Sequence, residues 1–183
     1  IQAVLSGTLN FVFNHYKGER AFVEVVRQAQ EEGYTEPDPR LDLGGTDVMR
    51  KIMILARETG EQIEMEDIVN TSFMPPSCMT GDVGHFYSQM AKEEAHFKKL
   101  YKQAADSGSK LKFIATYENG KASVGLKQVD PQHDFDHLYG KDNVVLFYTD
   151  RYKEQPLVIK GAGAGAEVTA SGVFADIIRA FRI

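Results

Sequence analysis

One cysteine, six prolines and no tryptophan occur in this sequence, and long apolar runs are missing altogether. A lone Cys78 cannot close an intrachain disulfide, which excludes the small secreted domains stapled by such bonds. No partnered nucleophile pattern accompanies it, so an inert thiol in a reducing, cytoplasmic setting is expected. No stretch of about 18 apolar residues exists, so no helix is expected to cross a membrane. Ile1 to Leu5 follows no charged stretch, so it does not read as a signal peptide. The chain starts without an initiator Met and reads as a piece of a longer protein. Its net charge is −5 and no Lys/Arg-rich stripe offsets it, which argues against nucleic-acid binding.

What is present fits one globular domain. The chain has 183 residues, 43% hydrophobic and 26% charged, and a chain of that length buries roughly 70% of its unfolded surface. Leu9, Val12, Phe13 and Tyr16 recur at helical spacing, with Ser6 placed to cap them. Phe22, Val25, Val26 and Ala29 repeat the pattern, and Gly33 follows where a left-handed cap needs no Cβ. Two prolines within 34–40 hold the backbone extended and exclude helix there. A third helix is expected over Thr46 to Glu58, a strand over Ile68 to Pro75, and one or two helices between His85 and Ala105.

The character then changes. Leu111, Phe113, Ala115 and Tyr117 alternate with other residues at strand spacing. Asn119-Gly120 separates them from a second alternating run, the strongest short hairpin signal. Further strands are expected over Val144 to Tyr148 and Leu157 to Ile159, and a last helix carries Val173, Ile177, Ala180 and Phe181. Helices first and strands later predict an α+β fold with helices on a largely antiparallel or mixed sheet. Residues 130–142 read as a polar loop, so His133 and His137, four apart, lack the helix that makes such spacing persuasive for a metal.

Two constellations could carry chemistry. Glu36, Asp38, Arg40, Asp42, Asp47, Arg50 and Lys51 form the densest polar cluster, and Asp47 and Lys51 share one helix face at i, i+4. The plain reading is a solvated ion pair worth a few tenths of a kcal/mol. The Gly44-Gly45 pair just before the helix allows close approach of backbone or ligand, and the stiff Pro-flanked turn brings Glu36 near the same end. The second is Gly161-Ala162-Gly163-Ala164-Gly165. Its spacing is not Gly-x-Gly-x-x-Gly, and too little chain follows for a βαβ unit, so no Rossmann fingerprint is present. Close packing of the last helix, or a glancing contact with a ligand held elsewhere, remain the two readings.

The wording of the sequence goes further. Gly33-Tyr34-Thr35-Glu36-Pro37-Asp38-Pro39-Arg40, followed by Asp42-Leu43-Gly44-Gly45-Thr46-Asp47-Val48-Met49-Arg50-Lys51, closely resembles the signature of homoserine dehydrogenases. Ser6-Gly7-Thr8-Leu9-Asn10 and the block from Gly161 to Val173 resemble the family's opening and closing motifs, in the family's order. One departure is visible: the family usually has two adjacent acids before the Leu-x-Gly step, and Leu41-Asp42 keeps only the second.

The resemblance implies a substrate-binding and dimerisation domain spanning 1–183, part of an enzyme sometimes fused to aspartate kinase. It implies NAD(P)H-dependent reduction of L-aspartate 4-semialdehyde to L-homoserine, in the route to threonine, methionine and isoleucine. Lys51 would be the acid/base group, with Asp47 orienting it and touching the substrate. Glu36 would bind the substrate ammonium, Asp42 would support the network, and Gly7, Thr8 and Tyr34 would line the pocket. Gly33 and Gly165 match positions that approach the nicotinamide end of NAD or NADP. The cofactor would be held mainly by a Rossmann domain absent here, so the fragment alone is expected to be inactive. A homodimer is expected, with neither nucleic acid nor membrane as partner. The alternative is a non-catalytic amino-acid-binding or oligomerisation module.

Overall fold

The computed structural model describes residues 1–138 and 142–181. Its first half runs β1 (Gln2–Val4), α1 (Gly7–His15), α2 (Phe22–Glu31), α3 (Arg40–Leu43), α4 (Thr46–Glu58) and β2 (Ile68–Thr71). Then follow α5 (Val83–Lys92), α6 (Glu94–Asp106), β3 (Lys110–Glu118), β4 (Lys121–Val129), β5 (Asp142–Phe147), β6 (Leu157–Ala162) and α7 (Ala166–Phe181). The strands make one sheet in the order β2-β4-β3-β1-β5-β6. β2 pairs parallel with β4, and every other pairing is antiparallel. The fold is therefore α+β on a mixed sheet, without a doubly wound parallel arrangement among the described residues.

The centre of the sheet is its shortest strand. Gln2 and Ala3 pair with Thr116 and Ala115 on one side and with Leu146 and Val145 on the other. Three residues are too few to show a period of two, so no local pattern marks a strand there. The chain then enters α1 within two residues, and the Ser6 hydroxyl caps it by accepting from the Leu9 N–H at 3.2 Å.

Helices cover one face of the sheet. Their shared core includes Phe13, Phe22, Phe73, Phe97 and Phe113, with the Phe22 and Phe97 rings stacked at 4.0 Å. α2 has no cap of its own; Glu94 of α6 accepts from the Phe22 N–H at 2.7 Å and from the Tyr16 hydroxyl at 2.9 Å. Burial and that carboxylate push the Tyr16 phenol well above its ordinary range. A smaller cluster on the opposite face, including Val4, Ile114, Phe135 and Leu138, lies under the turns of 130–138. In the hairpin, Asn119 and Gly120 both take positive φ, 49° and 76°, as a type I′ turn requires.

Four expectations change. Pro39 is itself helical (φ −62°, ψ −13°), so α3 begins at Arg40; a proline before the first turn forfeits no helical hydrogen bond. β2 ends at Thr71 because the Ser72 hydroxyl accepts from the Met74 N–H at 3.1 Å and turns the chain. β6 runs on to Ala162. The last helix does not pack on the body: α7 buries none of its residues, and Phe174 and Phe181 are 64% and 84% exposed. Within the polar loop, the His133 ring nitrogen accepts from the Phe135 N–H, and residues 139–141 lie outside the described residues.

One buried cation braces both layers. β3 continues past the end of β1, and in that gap Lys112 is 1% exposed. Its Nζ donates to Asn10 Oδ1 (2.9 Å), Asn14 Oδ1 (2.7 Å) and the Leu138 carbonyl (2.7 Å), three acceptors for three ammonium protons. Burial, then repulsion from Lys110, pulls its pKa down to about 8. Replacing Lys112 by Met removes the ammonium donor from all three, although the Leu138 carbonyl still accepts from Asn14 Nδ2 at 3.1 Å, and is expected to cost about 2–4 kcal/mol in urea denaturation. The folded pKa lies below the ordinary 10.5, so the fold disfavours the proton: its penalty is full below pH 8 and relieved between pH 8 and 10.5. Wild-type stability relative to Lys112→Met should therefore rise over that interval; a flat difference would mean that the three acceptors hold the charge.

Candidate active site

Five segments meet around an open cleft of about 690 Å³. They are the start of α1, the turn after α2, α3, the first turns of α4, and the β5 and β6 ends that lead to α7.

The turn is fixed by backbone chemistry. Gly33 takes φ +75°; its N–H donates to the Gln30 carbonyl at 3.0 Å, and the Tyr34 N–H donates to Ala29 at 2.8 Å. This is a Schellman closure, and it throws Tyr34 back onto α1, where its ring stacks on Phe11 at 4.4 Å. The Thr8 hydroxyl reaches both the Tyr34 carbonyl and Asp42 Oδ1, the latter at 3.1 Å. Asp42 Oδ2 accepts from the Glu36 N–H at 2.9 Å, so one carboxylate ties the turn to α1. Burial pushes the Asp42 carboxyl above its usual range; Glu36 and Asp47 add to that, while its two hydrogen bonds oppose it. Further out, Arg40 grips Asp38 (2.6 Å) and the Gly81 carbonyl (2.6 Å), and it holds the Asp38 carboxyl below its usual range. The Glu36 carboxylate is exposed and has no hydrogen-bond or ion-pair partner among the described residues.

Gly44 and Gly45 allow close approach, but by the protein itself. A Cβ on Gly44 would lie 2.7 Å from the Arg40 carbonyl oxygen, and one on Gly45 would lie 2.8 Å from the Phe113 ring. Gly45, at φ +77°, starts α4 without a side-chain cap. One turn in, Asp47 Oδ2 stands 2.7 Å from Lys51 Nζ. The same ammonium donates to the Leu5 carbonyl at 2.9 Å, just beyond the end of β1.

All nine residues singled out from the sequence line this cleft: Gly7, Thr8, Gly33, Tyr34, Glu36, Asp42, Asp47, Lys51 and Gly165. Arg50, noted in the polar cluster, lines it too. Sequence reasoning gave Ser6 only a capping role and did not single out Thr35, Asn143 or the Leu5 carbonyl; Gly163 lay in the glycine-rich run it had noted. Thr35 Oγ1 and Asn143 Oδ1 are buried without a hydrogen-bond partner among the described residues, although both residues line the cleft. Nothing in the local pattern around Asn143 marks it, because only the β5–β6 pairing carries it there. Gly163 serves Asn143, whose amide occupies the space a Cβ would need.

The chain matches the homoserine dehydrogenase family over residues 1–178. It belongs to the homoserine dehydrogenase family. A chloroplastic bifunctional aspartokinase/homoserine dehydrogenase 2 of Zea mays is 44% identical over 98% of this chain and 20% of its own length. A homoserine dehydrogenase of Schizosaccharomyces pombe is 37% identical over 98% of this chain and 50% of its own. A crystal structure of a Candida auris protein of unknown function superposes with a TM-score of 0.89 at 38% identity, covering 97% of this chain and 52% of that one. The chain thus spans about half of the fungal homoserine dehydrogenase and a fifth of the fused plant enzyme.

The two glycines that position this family's signature should respond differently to substitution. Gly33→Ala meets no atom within 4 Å and costs only backbone strain, about 1 kcal/mol. Gly45→Ala adds the collision with Phe113 and should cost at least about 2 kcal/mol. Urea midpoints decide this; equal losses would mean that Phe113 yields freely.

Proposed function

We propose that this chain is the substrate-binding and catalytic part of a homoserine dehydrogenase, reducing L-aspartate 4-semialdehyde to L-homoserine with NADH or NADPH. The carrying observation is the Lys51 ammonium, held 2.7 Å from Asp47 and 2.9 Å from the Leu5 carbonyl in a cleft that also presents a free Glu36 carboxylate. A merely solvated surface pair accounts for neither the backbone anchor nor the cleft, which speaks against the oligomerisation-only reading.

The roles follow from charge and placement. Glu36 takes the substrate ammonium. Lys51 Nζ holds the proton that the developing alkoxide requires in reduction, and takes it back from the hydroxyl in oxidation. Asp47 fixes Lys51 and contacts the hydroxyl, while Asp42 keeps Thr8, the turn and Glu36 in register. When bound, the nicotinamide supplies or accepts the hydride. The glycines at 33, 163 and 165, with Asn143, whose Oδ1 has no hydrogen-bond partner among the described residues, fit a flat ring there. The pyrophosphate belongs to another part of the intact protein, since no dinucleotide fingerprint occurs here. A place in the route to threonine and methionine follows from the substrate. A lone cysteine, and no helix among the described residues able to cross a membrane, suit a cytoplasmic setting.

Mutation in the intact enzyme tests the assignment. Lys51→Ala should lower kcat by about 10²–10⁴-fold with little change in substrate binding. Glu36→Ala should mainly raise the substrate KM, and Asp47→Ala should do some of both. Lys99→Ala, exposed on α6, is the control and should do neither. Near wild-type turnover in Lys51→Ala would put the acid elsewhere.

We also infer a homodimer through this domain. β6 is an edge strand whose Leu157 and Ile159 are 46% and 56% exposed, and α7, which follows it in the chain, leaves its apolar residues uncovered among the described residues. An interface of about 1,600 Å² is the expectation. Light scattering should give twice the chain mass at micromolar concentration; a strict monomer at the highest soluble concentration rejects it.

A further inference from the structure

We propose that Asn143 is a ligand-binding residue of the cleft, its side-chain carbonyl accepting a hydrogen bond from the carboxamide N–H of the nicotinamide ring. This rests on the dehydrogenase reading above. Asn143 stands on β5 opposite Gly161, two residues from Val145, and so shares the helix-covered face of the sheet. It lines the cleft together with Glu36, Asp47 and Lys51. Its Nδ2 end is pressed against Gly163, where any Cβ would collide with it. Its Oδ1 is buried and has no hydrogen-bond partner among the described residues. The amide is therefore pinned by a glycine while its acceptor lacks a donor. A buried acceptor without a donor is destabilising, and native folds keep few of them without a functional reason.

The chemistry of the walls selects the donor. An ammonium finds carboxylates at Glu36, Asp42 and Asp47, and a reacting hydroxyl finds Lys51. The wall made by Asn143 and the backbone of Gly163, Ala164 and Gly165 carries no charge. A neutral amide acceptor beside backbone without bulky side chains suits a flat, uncharged group bearing an amide N–H. Hydride transfer brings the ring to within about 3–3.5 Å of the substrate carbon, so the ring must enter this same cleft. The uncharged wall is what the substrate's polar groups leave to it.

The test uses the intact protein and titration calorimetry. The probes are whichever of NAD⁺ and NADP⁺ binds more tightly, and its 3-acetylpyridine analogue, which keeps the ring carbonyl but lacks the N–H. Wild type should bind the natural dinucleotide about tenfold more tightly than the analogue, the worth of one hydrogen bond. Asn143→Leu, similar in size but without an acceptor, should bring the two affinities within about twofold. Asn143→Asp keeps an acceptor and should keep the preference. Circular dichroism checks folding, and Asn143→Ala replaces the Leu variant if that one unfolds. Undiminished preference in the Leu or Ala variant overturns the proposal, as does a wild type without preference. In either case homoserine oxidation by wild type leaves the dehydrogenase reading standing. Absence of both dinucleotide binding and oxidation overturns the two together.

Discussion

The three-residue strand β1 is the constraint on which the rest depends. It is hydrogen-bonded on both sides, to β3 and β5, and ends abruptly where Leu5 and Ser6 lead into α1. That transition leaves the Leu5 carbonyl free to accept from Lys51. It places Ser6 to cap α1 and opens the gap that Lys112 fills. A longer β1 would occupy that carbonyl in the ladder and close the gap. The early end of a central strand thus creates both the anchor for the cleft's ammonium, Lys51, and the seat of a buried one, Lys112.

The two lysines show how burial decides what a charge does. Lys112 is enclosed and meets three neutral acceptors, so its work is to join α1, β3 and the turns of 130–138. Lys51 and Asp47 keep side-chain exposures of 36% and 52%, so their pair adds little to stability. What that pair supplies is position: i, i+4 geometry on a helix whose start is pinned by Gly45 against Phe113. The acidic wall is organised differently, by hydrogen bonds that the Asp42 carboxylate accepts from the Thr8 hydroxyl and the Glu36 N–H, leaving the Glu36 carboxylate without a partner among the described residues.

The second half of the molecule is unequal in its packing. β3 and β4 contribute buried residues to both faces and β5 to one, whereas β6 and α7 are exposed along their length. Their link nevertheless reaches the cleft through Gly163, Ala164 and Gly165.

Much of this was legible in the sequence. The spans of α2 and α4, the left-handed cap at Gly33, the I′ hairpin at Asn119-Gly120 and the shared face of Asp47 and Lys51 all follow from local rules, because each depends on neighbours within one or two turns. The family motifs drew the nine cleft residues from three separate stretches. What local rules could not supply was set by contacts between distant segments. β1 is defined by its two partners and by no pattern of its own. The Leu5 carbonyl has no side chain to announce it. Asn143 reaches the cleft only through its register opposite Gly161, and α7 has the periodicity of a packed helix yet finds no partner among the described residues. Periodicity specifies which face of an element is apolar; only the tertiary structure decides what that face, or a lone carbonyl, finally meets.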